Sequence, residues 1–141
     1  MDKLKLIRRP IEAEMSRYAV LFDKAFSHND DLLGRMLEYV RARQGKMMRP
    51  MLVVLTAKEF GPVSDNVLRS AVTLELLHTA SLTHDDVIDD SNERRGSASV
   101  NAAFGNKASI LTGDYMLSRA LHEAAMTGNV GIVDVVAQLG G

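Results

Sequence analysis

Apolar residues along this 141-residue chain recur at steps of three or four, the spacing of one face of an α-helix. The first such stripe comprises Ile7, Ile11, Met15, Tyr18, Phe22 and Phe26. Pro10 suits the first turn of this helix, because the missing N–H of proline costs little there. Short alternating runs separated by hairpin dipeptides, which would indicate β-strands, are almost absent. The pattern predicts an all-α fold of about six helices.

Polar and helix-breaking residues divide the rest of the chain into further helices. The predicted boundaries are Asp30 or Asp31 as the cap of a second helix, Gly45 at its end, Pro50 at the start of a third, Gly61-Pro62 at its end, and Ser64 or Asp65 as the cap of a fourth. This fourth helix runs to about Asp89 or Asp90 and is apolar on more than one face, so we expect it to be central and buried. A loop over 91–97, a short segment to 105, a helix over about 106–125 and an apolar helix from Asn129 complete the prediction.

Composition narrows the class of protein. Hydrophobic residues make up 46% and charged residues 25% of the chain, as in an ordinary globular protein. With a net charge of -1, no global basicity points to nucleic acid, and the lack of cysteine excludes disulfides, thiolate metal sites and a cysteine nucleophile. No apolar run approaches the ~18 residues of a transmembrane helix, and the N-terminus does not resemble a signal peptide. We therefore expect a cytoplasmic protein.

Four carboxylates stand at the end of the fourth helix, in the run His84-Asp85-Asp86-Val87-Ile88-Asp89-Asp90. Negative charges at a helix C-terminus interact unfavourably with the helix dipole, at a cost of about 0.3–1 kcal/mol per charge, and the four carboxylates also repel one another. A Mg²⁺ ion would reverse that balance, because it takes oxygen ligands from one or two carboxylates and from substrate phosphates. Asp85 and Asp89 share one helix face, whereas Asp86 is turned by about 100° and reaches the same site less directly. A solvated acidic helix end is the alternative that this motif alone leaves open.

Cationic residues flank the acidic cluster on both sides in the sequence. Arg94 and Arg95 follow it, and paired guanidinium groups bind diphosphates well because they are bidentate and permanently charged. Lys46 and Arg49 lie at the predicted start of the third helix, where free N–H groups also favour anions. His78 lies on the same stripe of the fourth helix as the acidic cluster. Taken singly, each could be a solvated charge or, for His78, a core residue; together they indicate a reaction between two apolar molecules that carry diphosphates.

Three segments carry a family resemblance: GKMMRP, ELLHTASLTHDDVIDDSNERRG and VNAAFGNKASILTGDYMLSRAL. They resemble the trans-type isoprenyl (polyprenyl) diphosphate synthases, in register over about residues 4–139. The resemblance implies the all-α isoprenoid-synthase (prenyltransferase) helical bundle. It also implies Mg²⁺-dependent condensation of an allylic prenyl diphosphate with isopentenyl diphosphate, in a homodimer or, for a natural half-length subunit, a heteromer.

The resemblance also assigns roles by position. It makes Asp85, Asp86 and Asp89 the catalytic ligands of Mg²⁺ and the allylic diphosphate, which Arg94 would also hold, and it makes Lys46, Arg49, His78 and Arg95 the ligands of isopentenyl diphosphate. Met48 departs from the family pattern, which often has Arg there, and we expect little consequence.

Two small residues bear on product length. Ala80 and Ser81 lie five and four residues before Asp85, where the growing prenyl tail would run back along the fourth helix. Short-chain members of the family often carry bulky aromatic residues there, so the resemblance implies a medium- or long-chain product. On this hypothesis Ala80→Phe stops elongation early. The alternative is that small residues only let two helices pack closely.

The chain departs from the family in one large respect. Members that work alone are much longer and carry a second aspartate-rich motif and a Lys-Thr pair, and neither occurs in these 141 residues. We therefore expect residues 1–141 to be a single N-terminal part of a polyprenyl synthase domain with its C-terminal half absent, inactive by itself. A non-catalytic regulatory or small subunit of a heteromeric synthase is the main alternative. An HD-type phosphohydrolase using His84-Asp85 is another, but it leaves GKMMRP and the paired arginines unexplained.

Overall fold

The computed structural model describes residues 3–45, 47–94 and 96–140 of the chain, and nearly all of its regular structure is helical. The helices are α1 Lys3–Arg8, α2 Glu12–Ala25, α3 Asp31–Ala42, α4 Met48–Lys58, α5 Asp65–Ile88, α6 Val100–Phe104, α7 Asn106–Met126 and α8 Val130–Gly140, with a 3-10 turn at Arg9–Ile11. The only strands in these ranges form a two-stranded antiparallel hairpin, β1 Glu93–Arg94 and β2 Ser97–Ala98. The all-α prediction is confirmed, with eight α-helices in these ranges where about six were predicted. The hairpin overlaps the predicted loop over 91–97 and extends one residue beyond it.

The first apolar stripe is divided between two helices. A 3-10 turn that contains Pro10 separates α1 from α2, whereas the sequence predicted one helix. A continuous α-helix through Pro10 would lose a hydrogen bond and clash with the preceding turn. From Ile11 onward the stripe is buried as predicted, and the Ile7 side chain lies outside the described residues.

The predicted caps are resolved in detail. Asp30, rather than Asp31, caps α3, because its Oδ1 accepts a hydrogen bond from the Leu33 N–H at 2.9 Å. Ser64 caps α5 through its hydroxyl, which accepts from the Val67 N–H at 3.4 Å. Helix α4 begins two residues before Pro50, which is buried in its first turn, where no helical hydrogen bond is lost.

Helix α5 is the centre of the molecule, as the sequence predicted. It packs most extensively against α7 and also against α4 and α2. Leu68, Val72 and Leu76 are fully buried along it, and with Tyr18 and Met116 they belong to one continuous core. None of the described helices is long and apolar enough to cross a membrane. The acidic motif lies at the C-terminal end of this central helix.

Candidate active site

The acidic end of α5 closes in a Schellman motif, in which a left-handed residue ends the helix. Asp90 is that residue, with φ 53°. The Ser91 N–H donates to the Asp86 carbonyl at 2.8 Å, and the Asp90 N–H donates to the Val87 carbonyl at 3.3 Å. These bonds turn the chain back, so that the hairpin β1–β2 follows directly beside the helix end.

The hairpin places Arg94 on Asp86. Arg94 Nε lies 2.9 Å from Asp86 Oδ2 and Arg94 Nη2 lies 2.7 Å from Asp86 Oδ1, a bidentate ion pair. The Asp86 carboxylate is buried, and its hydrogen bonds raise the pKa of the Arg94 guanidinium, which therefore stays charged. Gly96 has φ 78° in the turn between the strands, a conformation that favours glycine. The Arg-Gly part of the sequence motif thus fixes one cation on the helix end.

Further hydrogen bonds tie the hairpin to its surroundings. The Ser91 carbonyl accepts from the Ser99 hydroxyl at 2.8 Å and from Asn101 Nδ2 at 2.9 Å. The Tyr39 hydroxyl on α3 donates to the Ala98 carbonyl of β2 at 2.6 Å. The position of Arg94 therefore depends on α3, α5 and α6 together.

Asp85 and Asp89 differ from Asp86, because both are exposed. They lie one turn apart, and in the described part of the chain neither side chain forms an ion pair or a hydrogen bond. No group of three His, Asp or Glu residues among the described positions could hold a metal ion alone. Two carboxylates completed by phosphate oxygens are, however, a usual donor set for Mg²⁺, so these residues fit a metal that arrives with a phosphate ligand.

A cavity opens beside the Asp86–Arg94 pair. Its wall is formed by the end of α3, the inner face of α5, the hairpin and the start of α6, and includes Tyr39, Arg43, Glu75, His78, Thr79, Leu82, Asp86 and Arg94. His78 and Leu82 line this cavity, and the residue of the acidic motif that shares it with them is Asp86, not Asp85 or Asp89. The reason is geometric: residues 78, 82 and 86 are successive i, i+4 positions, and the ion pair with Arg94 holds Asp86 on that side.

Glu75 is a buried carboxylate in this wall that the sequence analysis missed. Its Oε2 lies 4.0 Å from Nη1 of Arg49, which is half-exposed in the first turn of α4. Burial, and to a smaller extent the charge of Glu75, raises the pKa of the Tyr18 hydroxyl, which therefore stays protonated. The available signal was a single acidic residue within the apolar part of α5. Lys46 and Arg95, also predicted as ligands, lie outside the described residues.

His84 faces α7 and not the cavity. Its Nε2 lies 3.2 Å from Asp114 Oδ1 and 3.3 Å from the Ile110 carbonyl oxygen. The ring lies against Gly113, where an added Cβ would stand only 2.3 Å from Nε2, so glycine permits this approach. His84 therefore joins α5 to α7, and its neighbours give no support to the phosphohydrolase alternative.

Ala80 and Ser81 lie on different sides of α5. Ala80 is fully buried in the core, whereas Ser81 is exposed. Ser81 continues the face of Leu74 and Leu77, which line a groove of about 330 Å³ between α5 and α8. A phenylalanine at position 80 would therefore enter the packed core. We expect Ala80→Phe to lower the stability of the fold, so its effect on product length can be interpreted only together with its stability.

The comparisons with known proteins agree on one family. The family model described as "Polyprenyl synthetase" matches residues 30–140. Octaprenyl diphosphate synthase of Haemophilus influenzae is 42% identical over 106 residues, which cover 75% of this chain and 32% of that protein. Heptaprenyl diphosphate synthase component 2 of Geobacillus stearothermophilus is 34% identical over 137 residues, which cover 96% of this chain and 42% of that protein.

A solved structure shares the architecture. A polyprenyl synthase from Caulobacter crescentus, complexed with calcium and isoprenyl diphosphate, superposes with a TM-score of 0.88 at 29% identity, over 96% of this chain and 42% of that one. The chain thus spans between about a third and two fifths of the length of these relatives. With the family model matched over most of its residues, this chain belongs to the polyprenyl synthetase family.

Proposed function

We propose that this chain provides the aspartate-rich site and the cationic site of a Mg²⁺-dependent trans-polyprenyl diphosphate synthase. The substrates are an allylic prenyl diphosphate and isopentenyl diphosphate, and the product is a medium- or long-chain polyprenyl diphosphate. The observation that carries the proposal is the fixed Arg94, held by Asp86 at the cavity wall, next to two exposed carboxylates one turn apart. This arrangement combines a preorganised cation with a donor set for Mg²⁺.

In the proposed allylic site, Asp85 and Asp89 would hold Mg²⁺, and the family resemblance assigns Asp86 to the same group. When bound, the metal supplies positive charge that favours departure of the diphosphate. Arg94 keeps donor groups that Asp86 does not use, because a guanidinium has five N–H bonds and the ion pair uses two of them. Those donors stabilise negative charge as the allylic C–O bond breaks.

In the proposed isopentenyl site, Arg49 and His78 bind the second diphosphate, and Lys46 and Arg95 remain predicted ligands. The buried Glu75 carboxylate lies 4.0 Å from Arg49 Nη1 and attracts its charge. The double bond of isopentenyl diphosphate then attacks the allylic carbon, a C–C bond forms, and loss of one proton restores a double bond. Water would capture the allylic cation, so the apolar walls of the cavity take part in the chemistry.

A binding experiment on the 141-residue chain distinguishes the two proposed sites. Because the cationic site needs no metal, Arg49→Gln should weaken binding of isopentenyl diphosphate in EDTA about tenfold, whereas Asp85→Asn and Asp89→Asn should leave it unchanged. The same two Asn variants should abolish Mg²⁺-dependent binding of an unreactive allylic thiodiphosphate. Isothermal titration calorimetry measures both affinities.

Matched controls remove the same charges elsewhere. Arg35→Gln on α3 and Glu59→Gln after α4, both at exposed positions, should change neither affinity. If Arg49→Gln weakened only the allylic analogue, the assignment of the two sites would be wrong. Absence of binding of both diphosphates by the unmodified chain would contradict the proposed function.

A second candidate function is a subunit that binds prenyl diphosphate or a synthase partner without turnover. The observation in its favour is the name of one relative, "Heptaprenyl diphosphate synthase component 2", which denotes one component of a synthase. On this candidate the chain would raise the rate or alter the product of a separate synthase. If the first proposal is correct, adding this chain would not change the product made by an intact relative.

A further inference from the structure

Arg43 is a cation of the cavity wall that neither proposed diphosphate site uses. It follows α3 directly, and its guanidinium carbon lies 3.4 Å from the centre of the Tyr39 ring. Its Nη1 also donates to the Tyr39 carbonyl at 3.2 Å. Tyr39, Arg43, His78 and Arg94 all line the same cavity. Arg43 is therefore held over an aromatic face at the cavity.

The ring beneath Arg43 is itself fixed. The Tyr39 hydroxyl donates to the Ala98 carbonyl at 2.6 Å. The Tyr39 and Phe104 rings also make an edge-to-face contact, with their centroids 5.3 Å apart. Ala98 belongs to the same hairpin as Arg94. The elements that carry the Arg43 and Arg94 guanidinium groups are thus joined by one short hydrogen bond.

The charges around the cavity distinguish Arg43 from the other cations. Asp86 is paired with Arg94, and Glu75 lies 4.0 Å from Arg49. Arg43 has no carboxylate within ion-pair distance in the ranges that the structure describes. Stacking uses the flat face of the guanidinium and leaves most of its N–H edge available to an anion.

We infer that Arg43 is a further substrate-binding residue, which donates to the diphosphate of isopentenyl diphosphate at the cationic site. This inference rests on the proposed function and extends it to a residue outside the GKMMRP and Arg94-Arg95 segments. The stacked arrangement favours arginine over lysine, because an ammonium group cannot lie flat on the Tyr39 ring while presenting two donors.

The test measures the dissociation constant of isopentenyl diphosphate for the 141-residue chain in EDTA, by isothermal titration calorimetry. Arg43→Gln should raise the dissociation constant about five- to tenfold, and Arg43→Lys should raise it by a smaller factor. Arg35→Gln, which removes an exposed charge from the same helix, should change it by less than about twofold. Circular dichroism checks that each variant keeps its helical content.

The outcomes separate this inference from the proposed function. Unchanged binding by Arg43→Gln, with weakened binding by Arg49→Gln, would overturn the role of Arg43 and leave the proposed function in place. An equal loss in Arg35→Gln would overturn it as well, since net charge alone would then explain the effect. Absence of binding by the unmodified chain would contradict both.

Discussion

Asp90 occupies a backbone conformation that most L-residues avoid. Its φ of 53° completes the turn at the end of α5, and aspartate tolerates that region better than most side chains. Its charge also stands at the negative end of the helix dipole. The residue is thus locally unfavourable twice, in backbone conformation and in charge.

Asp90→Gly should stabilise the fold by about 1 kcal/mol, because glycine adopts the left-handed region without steric cost and removes the charge. The midpoint of urea unfolding measures the change. Asp90→Asn is the matched control, since it removes the charge and keeps a side chain at the same backbone angle. Equal stabilisation by Gly and Asn would show that charge, and not backbone conformation, is the cause.

At the scale of elements, the two faces of α5 at positions 80 and 81 give the sharpest prediction. Ala80→Phe should lower stability by about 1–3 kcal/mol or more, because a ring has no room in a fully packed core. Ser81→Phe should be nearly neutral, because Ser81 is exposed. Thermal unfolding of the two variants measures this difference. If Ala80→Phe were tolerated, Ala80 would border open space and would again be a candidate floor for the prenyl tail.

The helices were largely predictable because their signals are repeated and local. Each apolar stripe spans several turns, and Asp30 and Ser64 act as caps through side-chain bonds to residues only three positions away. The hairpin was not predictable, because two residues per strand carry no alternating pattern. The break at Pro10 was missed because the apolar stripe continues across it without a change of phase.

At the scale of the molecule, the chain carries the residues of the proposed acidic and cationic sites and an exposed apolar face on α8. Val130 is 82% exposed and Val135 55% exposed on α8, next to the groove with α5. We expect the 141-residue chain to bind diphosphates but not to condense them, because its sequence offers one aspartate-rich motif where the family resemblance implies two. We also expect it to self-associate through this face.

Incorporation of labelled isopentenyl diphosphate into longer products measures turnover, and sedimentation velocity measures the oligomeric state. The chain is assayed alone and with an intact octaprenyl diphosphate synthase. Robust condensation by the isolated, monomeric chain would contradict the expectation. Stimulation of the intact enzyme would instead favour the role of a non-catalytic subunit.

The site as a whole was only partly predictable. The sequence brought His78 and the acidic motif to one end of one helix, because residues of a single helix have fixed relative positions. The i, i+4 spacings that join His78 to Asp86 through position 82, and Tyr39 to Arg43, were available in the sequence but do not by themselves indicate a cavity. The cavity depends on how α3, the hairpin and α6 pack on α5, and no spacing within one segment encodes that packing.

The bidentate pair between Arg94 and Asp86 has a consequence for the entropy of recognition. A free arginine side chain carries about 2 kcal/mol of rotamer entropy, much of which a ligand must remove when it captures that side chain. Here Asp86 has already restricted Arg94 to one orientation during folding. On the proposed function, a diphosphate that binds Arg94 therefore loses less side-chain rotamer entropy than one that binds a freely rotating arginine.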